Sequence, residues 1–198
     1  MATLDRHDAV PVWCRLRIPH SYTPSPVLST LASRYGLDIS ITTAHLGFHG
    51  LEDGWFDLVL SGQPHQILAS LRYLQHLQIE ITQLGPKPLL ARFGGLLDPL
   101  IPMESPLSSR PEPPTLAIAA PGATVQTREV EVTIPPELRY QPVLFRLVHH
   151  HWLEMTIVSA RLESDSLCPG RFELILNGSP SSIECGLATL RQQALVVV

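Results

Sequence analysis

The sequence predicts an α+β fold made of two tandem βαββαβ modules joined by a proline-rich linker. Three observations predict it. One internal repeat runs in register along most of the chain, helical and strand periodicities alternate in the same order twice, and prolines interrupt both patterns in the middle. The chain has 198 residues, 44% hydrophobic and 16% charged. That size and balance suit two modules of about 70–80 residues better than one minimal domain.

A shift that carries Ile18 onto Ile134 superposes two long stretches without a gap. IPHSYTPSPVLSTLASRYGLDISI lies over IPPELRYQPVLFRLVHHHWLEMTI, and GWFDLVLSGQPHQILASLRYL lies over GRFELILNGSPSSIECGLATL. Matched pairs include Pro26/Pro142, Leu31/Leu147, Ile41/Ile157, Ala44/Ala160, Gly54/Gly170, Phe56/Phe172, Gly62/Gly178, Pro64/Pro180 and Leu74/Leu190. So many apolar, Gly and Pro positions in one register mark an internal duplication.

Each element then follows from its local pattern. Val27, Leu28 and Leu31, and again Ile67, Leu71 and Leu74, have helical spacing. Phe56, Leu58 and Leu60 alternate and so share one face of a strand. Pro26 and Pro64 suit the first turn of a helix, and Ser179 before Pro180 reads as an N-cap. Gly62 and Gly178 are expected to end a strand, where a change of direction needs permissive backbone angles. Strands are expected near 11–18, 37–48, 54–61 and 78–83, with helices near 25–35 and 64–76. In the second copy the strands fall near 128–134, 153–163, 170–177 and 194–198, and the helices near 141–151 and 180–192. That order is the split-βαβ, ferredoxin-like plan, with both helices on one face of an antiparallel sheet. The modules span 10–84 and 127–198. Between them, 85–126 is punctuated by nine prolines from Pro86 to Pro121 and reads as an extended, semi-rigid linker. Within it LLARFGGLLDPLI, with Phe93, Leu96 and Leu97, is apolar enough to dock on a surface.

Composition narrows the function. Net charge is −4 and the one lysine is Lys87, so the basic patch of a nucleic-acid binder is missing. The opening residues lack a signal-peptide pattern and no apolar run approaches about 18 residues. A cytoplasmic protein without membrane insertion is expected. Cys14, Cys168 and Cys185 are scattered, which argues against a disulfide framework or thiolate metal site. His149, His150 and His151 point about 100° apart on a helix and do not converge on a metal, so they read as a solvated helix end. His45 and His49 alternate along a strand or hairpin with no third ligand nearby, and Glu52 and Asp53 suit a turn. Neither a nucleophile elbow nor a phosphate loop nor a metalloprotease helix occurs. The expectation is a non-catalytic protein with no metal and no cofactor. Trp13, Trp55 and Trp152 occupy positions the shared core does not need and are candidate interface residues.

PVLSTLASRYGLDISI and PVLFRLVHHHWLEMTI, the G-x-F-x-L-x-L-x-G strands from Gly54 and Gly170, and the closing helices resemble the NIL domain family. That family is best known as the C-terminal regulatory domain of bacterial methionine-importer ATPases. The resemblance implies a ferredoxin-like fold, modules paired side by side, and methionine bound at or near the pairing surface. Family members often carry Asn before the Ile of the second strand. Here Ser40 precedes Ile41 and Thr156 precedes Ile157, which keeps a hydroxyl but loses the amide's simultaneous donor and acceptor. The leading expectation is a regulatory or adaptor protein whose paired modules dock another protein. The alternative is a small-metabolite sensor using Ser40, Ile41, Thr156 and Ile157. Two copies in one chain suggest an intramolecular pseudo-dimer, or pairing between chains in a homo-oligomer.

Overall fold

Val12, Cys14, Leu16 and Ile18 are buried while Pro11, Trp13, Arg15 and Arg17 between them are exposed, which makes β1 (Val10–Ile18) a one-sided strand. The computed structural model describes residues 9–22, 25–46, 52–83, 124–163, 167–193 and 196–197. After β1 come α1 (Val27–Tyr35), β2 (Asp38–Leu46), β3 (Gly54–Gly62), α2 (Pro64–His76) and β4 (Glu80–Gln83). The second module repeats the order as β5 (Gln126–Ile134), α3 (Val143–His151), β6 (Glu154–Leu162), β7 (Gly170–Gly178), α4 (Pro180–Gln192) and β8 (Val196–Val197). Short 3₁₀ turns, His20–Tyr22 and Pro136–Leu138, precede α1 and α3. Both modules are therefore ferredoxin-like, as the periodicity predicts. β5 begins at Gln126, the last residue of the predicted linker. Phe93, Leu96 and Leu97 lie outside the described residues, as does His49.

All eight strands form one antiparallel sheet in the order β4-β1-β3-β2-β6-β7-β5-β8. Each module contributes four strands, and β2 and β6 join them. The modules thus pair within the chain. Their buried apolar side chains form one connected cluster that includes Leu16, Leu31, Phe56 and Leu58 from one module and Val132, Leu147, Phe172 and Leu174 from the other. Among the described residues no helix is long and apolar enough to cross a membrane.

Local chemistry sets the element ends. Pro64 and Pro180 occupy the first turns of α2 and α4. Ser179 caps α4, its hydroxyl accepting from the Ser182 N–H at 3.1 Å. Gln63 and Gln66 close a reciprocal capping box on α2. Gly62 and Gly178 end their strands as expected, but neither has positive φ, so a special backbone angle is not what calls for glycine there. They are small because a Cβ there would sit 2.5 Å from Cδ2 of Leu37 or of Leu153. Left-handed conformations fall instead on the C-cap of the first helix, Gly36 at φ 67° in one module and Trp152 at φ 53° in the other, and on Gln78 at φ 58° after α2.

An L-residue with a side chain in that conformation costs roughly 1–2 kcal/mol, part of which glycine returns as chain entropy on folding. Trp152→Gly is therefore expected to raise stability by about 1 kcal/mol in urea melts. Gly178→Ala is expected to lower it by about 1–3 kcal/mol, because the Leu153 side chain must leave its rotamer.

Candidate functional site

The junction is made by three cross-strand pairs, Ala44↔Leu162, His45↔Arg161 and Leu46↔Ala160. They involve only the C-terminal ends of β2 and β6. Earlier in each strand a β-bulge interrupts the pairing to the strand's own hairpin partner, between Ile41 and Thr43 and between Ile157 and Ser159. The N-terminal part of each strand runs past the paired stretch and meets the first helix of the other module, α1 against β6 and α3 against β2. Two hydrogen bonds secure these contacts. The Met155 N–H donates to Oγ of Ser29 at 3.1 Å, in a buried setting. His149 Nε2 lies 3.0 Å from the Leu37 carbonyl oxygen. A carbonyl only accepts, so Nε2 carries the proton.

Two clefts flank the paired stretch, related by the same repeat. The first is lined by Ile18, Tyr22, Ser25, Leu46, Met155 and Ile157, among others, and the second by Ile39, Ile41, Arg139, Gln141, Leu144 and Phe145. Each takes residues from both modules. The space they enclose is small, about 20 Å³ and 10 Å³, the scale of a single water. Their chemistry differs. The first is apolar except for the hydroxyls of Tyr22 and Ser25. The second holds the guanidinium of Arg139, 6% exposed, whose Nη2 donates to the Cys168 carbonyl at 3.4 Å. By the repeat, Thr23 and Ser25 stand where the second module has Arg139 and Gln141.

The residues singled out from sequence distribute unevenly over this geometry. Ile41 lines one cleft and Ile157 the other, so the structure assigns them to different sites. Ser40 and Thr156 are buried, at 8% and 4% exposure, but line neither cleft. Alternation turns them away from their Ile neighbours. Trp13 and Trp55 share the helix-free face of the sheet, half-exposed, and Arg17 stacks over the Trp55 ring at 5.3 Å. Trp152 ends α3, so the three tryptophans do not make one patch. Nor do the three histidines form a solvated helix end: His149 reaches Leu37 and His151 Nε2 lies 2.9 Å from Oγ1 of Thr189, leaving only His150 exposed. Asp53 serves more than its turn. It accepts from the His20 N–H at 3.0 Å and from Arg17 at 2.9 Å, and these, led by the His20 bond, hold its carboxyl below the usual range. Arg139 lies inside the repeated stretch from Ile134 but opposite Thr23, at an unmatched position, so matching the copies passed over it; its signal was that difference between the copies.

The NIL domain family model matches residues 12–83 and 128–198, most of the chain and both modules. The chain belongs to the NIL domain family. Two relatives fit the same picture. An uncharacterized protein from Synechococcus elongatus is 37% identical over 67 residues, 34% of this chain and 83% of its own length. Another, from Synechocystis, is 42% identical over 67 residues, 34% of this chain and 68% of its own. Each relative has room for one NIL module where this chain has two. Among solved structures, the acetolactate synthase small subunit from Thermotoga maritima aligns over 96% of this chain and 92% of its own, at 12% identity and a TM-score of 0.28. That likeness is too faint to inform on function.

The NIL pair depends on Ser29, since its hydroxyl is what satisfies the buried Met155 N–H. Ser29→Ala leaves that donor orphaned, and a loss of about 1–3 kcal/mol is expected in denaturant melts. Within the first module, burial and then the Asp57 charge push the Cys14 thiol up to about 12. At pH 8 the native protein should therefore alkylate at the exposed Cys185 but not at Cys14 until it unfolds, which peptide mass mapping would read directly.

Proposed function

We propose that this chain is a regulatory protein that binds a small amino-acid-like ligand in the second junction cleft, between β2 and the start of α3. The observation that carries this reading is Arg139. A guanidinium at 6% exposure beside Ile39, Ile41, Leu144 and Phe145 supplies a carboxylate partner next to an apolar wall. Small-molecule sites commonly combine an apolar lining with a few placed polar groups. Gln141 adds an amide for an ammonium or second oxygen. Family membership supports the same class of ligand, methionine included, because NIL modules resemble those that sense it beside a paired surface.

The cleft is closed down to the scale of a water, so a ligand of this size must part β2 from α3 on entry. That step links occupancy to the junction between modules, which is the element a regulator needs. The role is non-catalytic in this reading, with Arg139 binding rather than reacting. Ser40 and Thr156 act behind the cleft in it, through the strands that carry Ile41 and Ile157.

A thermal-shift screen across methionine, other amino acids and related metabolites tests it. Ligand at a hundred times its Kd adds about 2.7 kcal/mol, a rise of several degrees for a protein of this size. Arg139→Met keeps volume but takes a donor from the Cys168 carbonyl, so some loss of stability is expected and the melt without ligand reports it separately. The expected outcome is a folded variant with no ligand response. A response that survives Arg139→Met would move the site elsewhere, and a flat screen would end the ligand reading.

One observation favours a second reading, docking of another protein. Trp152 is 79% exposed and held in a left-handed conformation where the first module has Gly36. Strained, exposed aromatics are kept where something binds them. Pull-down with wild-type protein and with the Trp152→Gly variant separates the two: a saturable partner lost only in the variant supports docking.

A further inference from the structure

A line of side chains crosses the helix-free face of the sheet at one level. Strand registers place Arg17 opposite Trp55, Trp55 opposite His45, His45 opposite Arg161, and Arg161 opposite Arg171. Directly opposed residues share a face with their Cβ atoms about 4.5–5.5 Å apart. All five are exposed. Charge along the line is not evenly neutralised. Arg17 is tied to Asp53 at 2.9 Å and to Glu80 at 3.4 Å. Among the described residues the acidic partner of Arg161 is Glu163, at 3.9 Å and itself largely exposed. Arg171 has no acidic or hydrogen-bonding partner among the described residues, and Glu173, two residues along the same face, makes no ion pair with it.

Like charges directly opposite one another destabilise a sheet. Here two guanidiniums face each other with His45 as the next group in line, in a protein whose net charge is −4. Beside them opens a concavity of about 320 Å³, lined by Arg161, Glu163, Cys168, Pro169 and Arg171. That volume falls in the range of small-molecule sites. Two arginines on directly opposed positions line this one concavity, and a guanidinium can hold a phosphate or carboxylate bidentately.

We infer that Arg161 and Arg171, with His45 across the module junction, form a binding site for an oxyanion, the phosphate or carboxylate group of a small molecule. The site lies on the sheet face opposite the helices and shares no lining residue with either junction cleft. The two sites touch at one point, since Arg139 donates to the carbonyl of Cys168, which lines the concavity, so anion probes and the Arg161 and Arg171 variants separate this site from the Arg139 reading. The repeat explains its composition. His45 and Trp55 in the first module are the counterparts of Arg161 and Arg171 in the second, so one half offers two cations and the other an imidazole and an aromatic wall.

Isothermal titration with pyrophosphate and, separately, with citrate at fixed ionic strength tests it on the full chain. The expected result is saturable binding of one anion per chain, submillimolar for at least one probe. Tighter pyrophosphate binding would identify phosphate as the preferred group and tighter citrate binding a carboxylate. Arg171→Gln and Arg161→Gln should each weaken it at least tenfold, while Arg191→Gln on α4 leaves it unchanged. Without anion, Arg171→Gln should melt at or above the wild-type midpoint, since it removes an opposed cation, and this keeps the loss of binding distinct from misfolding. Absence of saturable heat with both probes, or equal affinity in Arg171→Gln, would overturn the site.

Discussion

A ferredoxin-like module leaves the outer edge of its second strand without a partner, and an open strand edge invites pairing with whatever chain comes near. In this protein β2 and β6 close each other's edges over three residue pairs. The rest of each edge is covered by the first helix of the opposite module, which brings its own polar group to an exposed backbone position. Ser29 answers the Met155 N–H and His149 the Leu37 carbonyl. Because those helices also belong to their own modules' cores, the junction and the two cores become one connected apolar cluster. Both clefts and the cationic line on the other face exist only because this closure is made.

The repeat separates what the fold needs from what varies. Matched positions such as Leu31/Leu147, Phe56/Phe172 and Leu74/Leu190 are all buried in the core. Even the tight glycines behave alike, Gly62 against Leu37 and Gly178 against Leu153. Around the junction the copies part. Ser29 corresponds to Phe145, Ser33 to His149, Thr23 to Arg139 and Trp55 to Arg171. The two hydrogen bonds across the junction are accordingly unlike each other, one made by a hydroxyl acceptor and one by an imidazole donor. Exposed positions diverge elsewhere too, in β1 against β5 and in α2 against α4, so the copies share what packing fixes and little else.

Most of the fold could be read from the chain because it rests on local periodicity. The helix starting at Val27 and the strand from Gly54 each declare themselves within a dozen residues, and the duplication reads every element twice. The site could not be read that way. Burial of Arg139 depends on β2 of the other module lying beside the turn that carries it, a contact far away in sequence. The bulges after Ile41 and Ile157 are likewise invisible in composition, because Thr42 and Val158 suit a regular strand. Gly62 shows the subtler limit: the sequence calls for a small residue there, but close approach of Leu37 and a turn in the backbone demand the same letter. Ser40 and Thr156 were singled out through family resemblance, and the structure gives them burial without a cleft of their own.

Two copies in one chain release a constraint that binds a symmetric dimer. In an isologous pair every residue near the axis meets its own counterpart or a copy of the same neighbour. His45 and Arg161 are counterparts in the repeat and lie directly opposite each other in the sheet. A single-module chain pairing with itself through this strand would set arginine against arginine at that position, or histidine against histidine, and would make its two clefts identical. Joined by a linker, the copies meet at high effective concentration without needing a self-complementary surface. One module can then carry the buried guanidinium and the opposed arginines while the other keeps apolar and aromatic groups in their places. The chain thereby gains two unlike surfaces from one repeated fold, and the asymmetry itself is the reason to expect a single ligand at each rather than a pair.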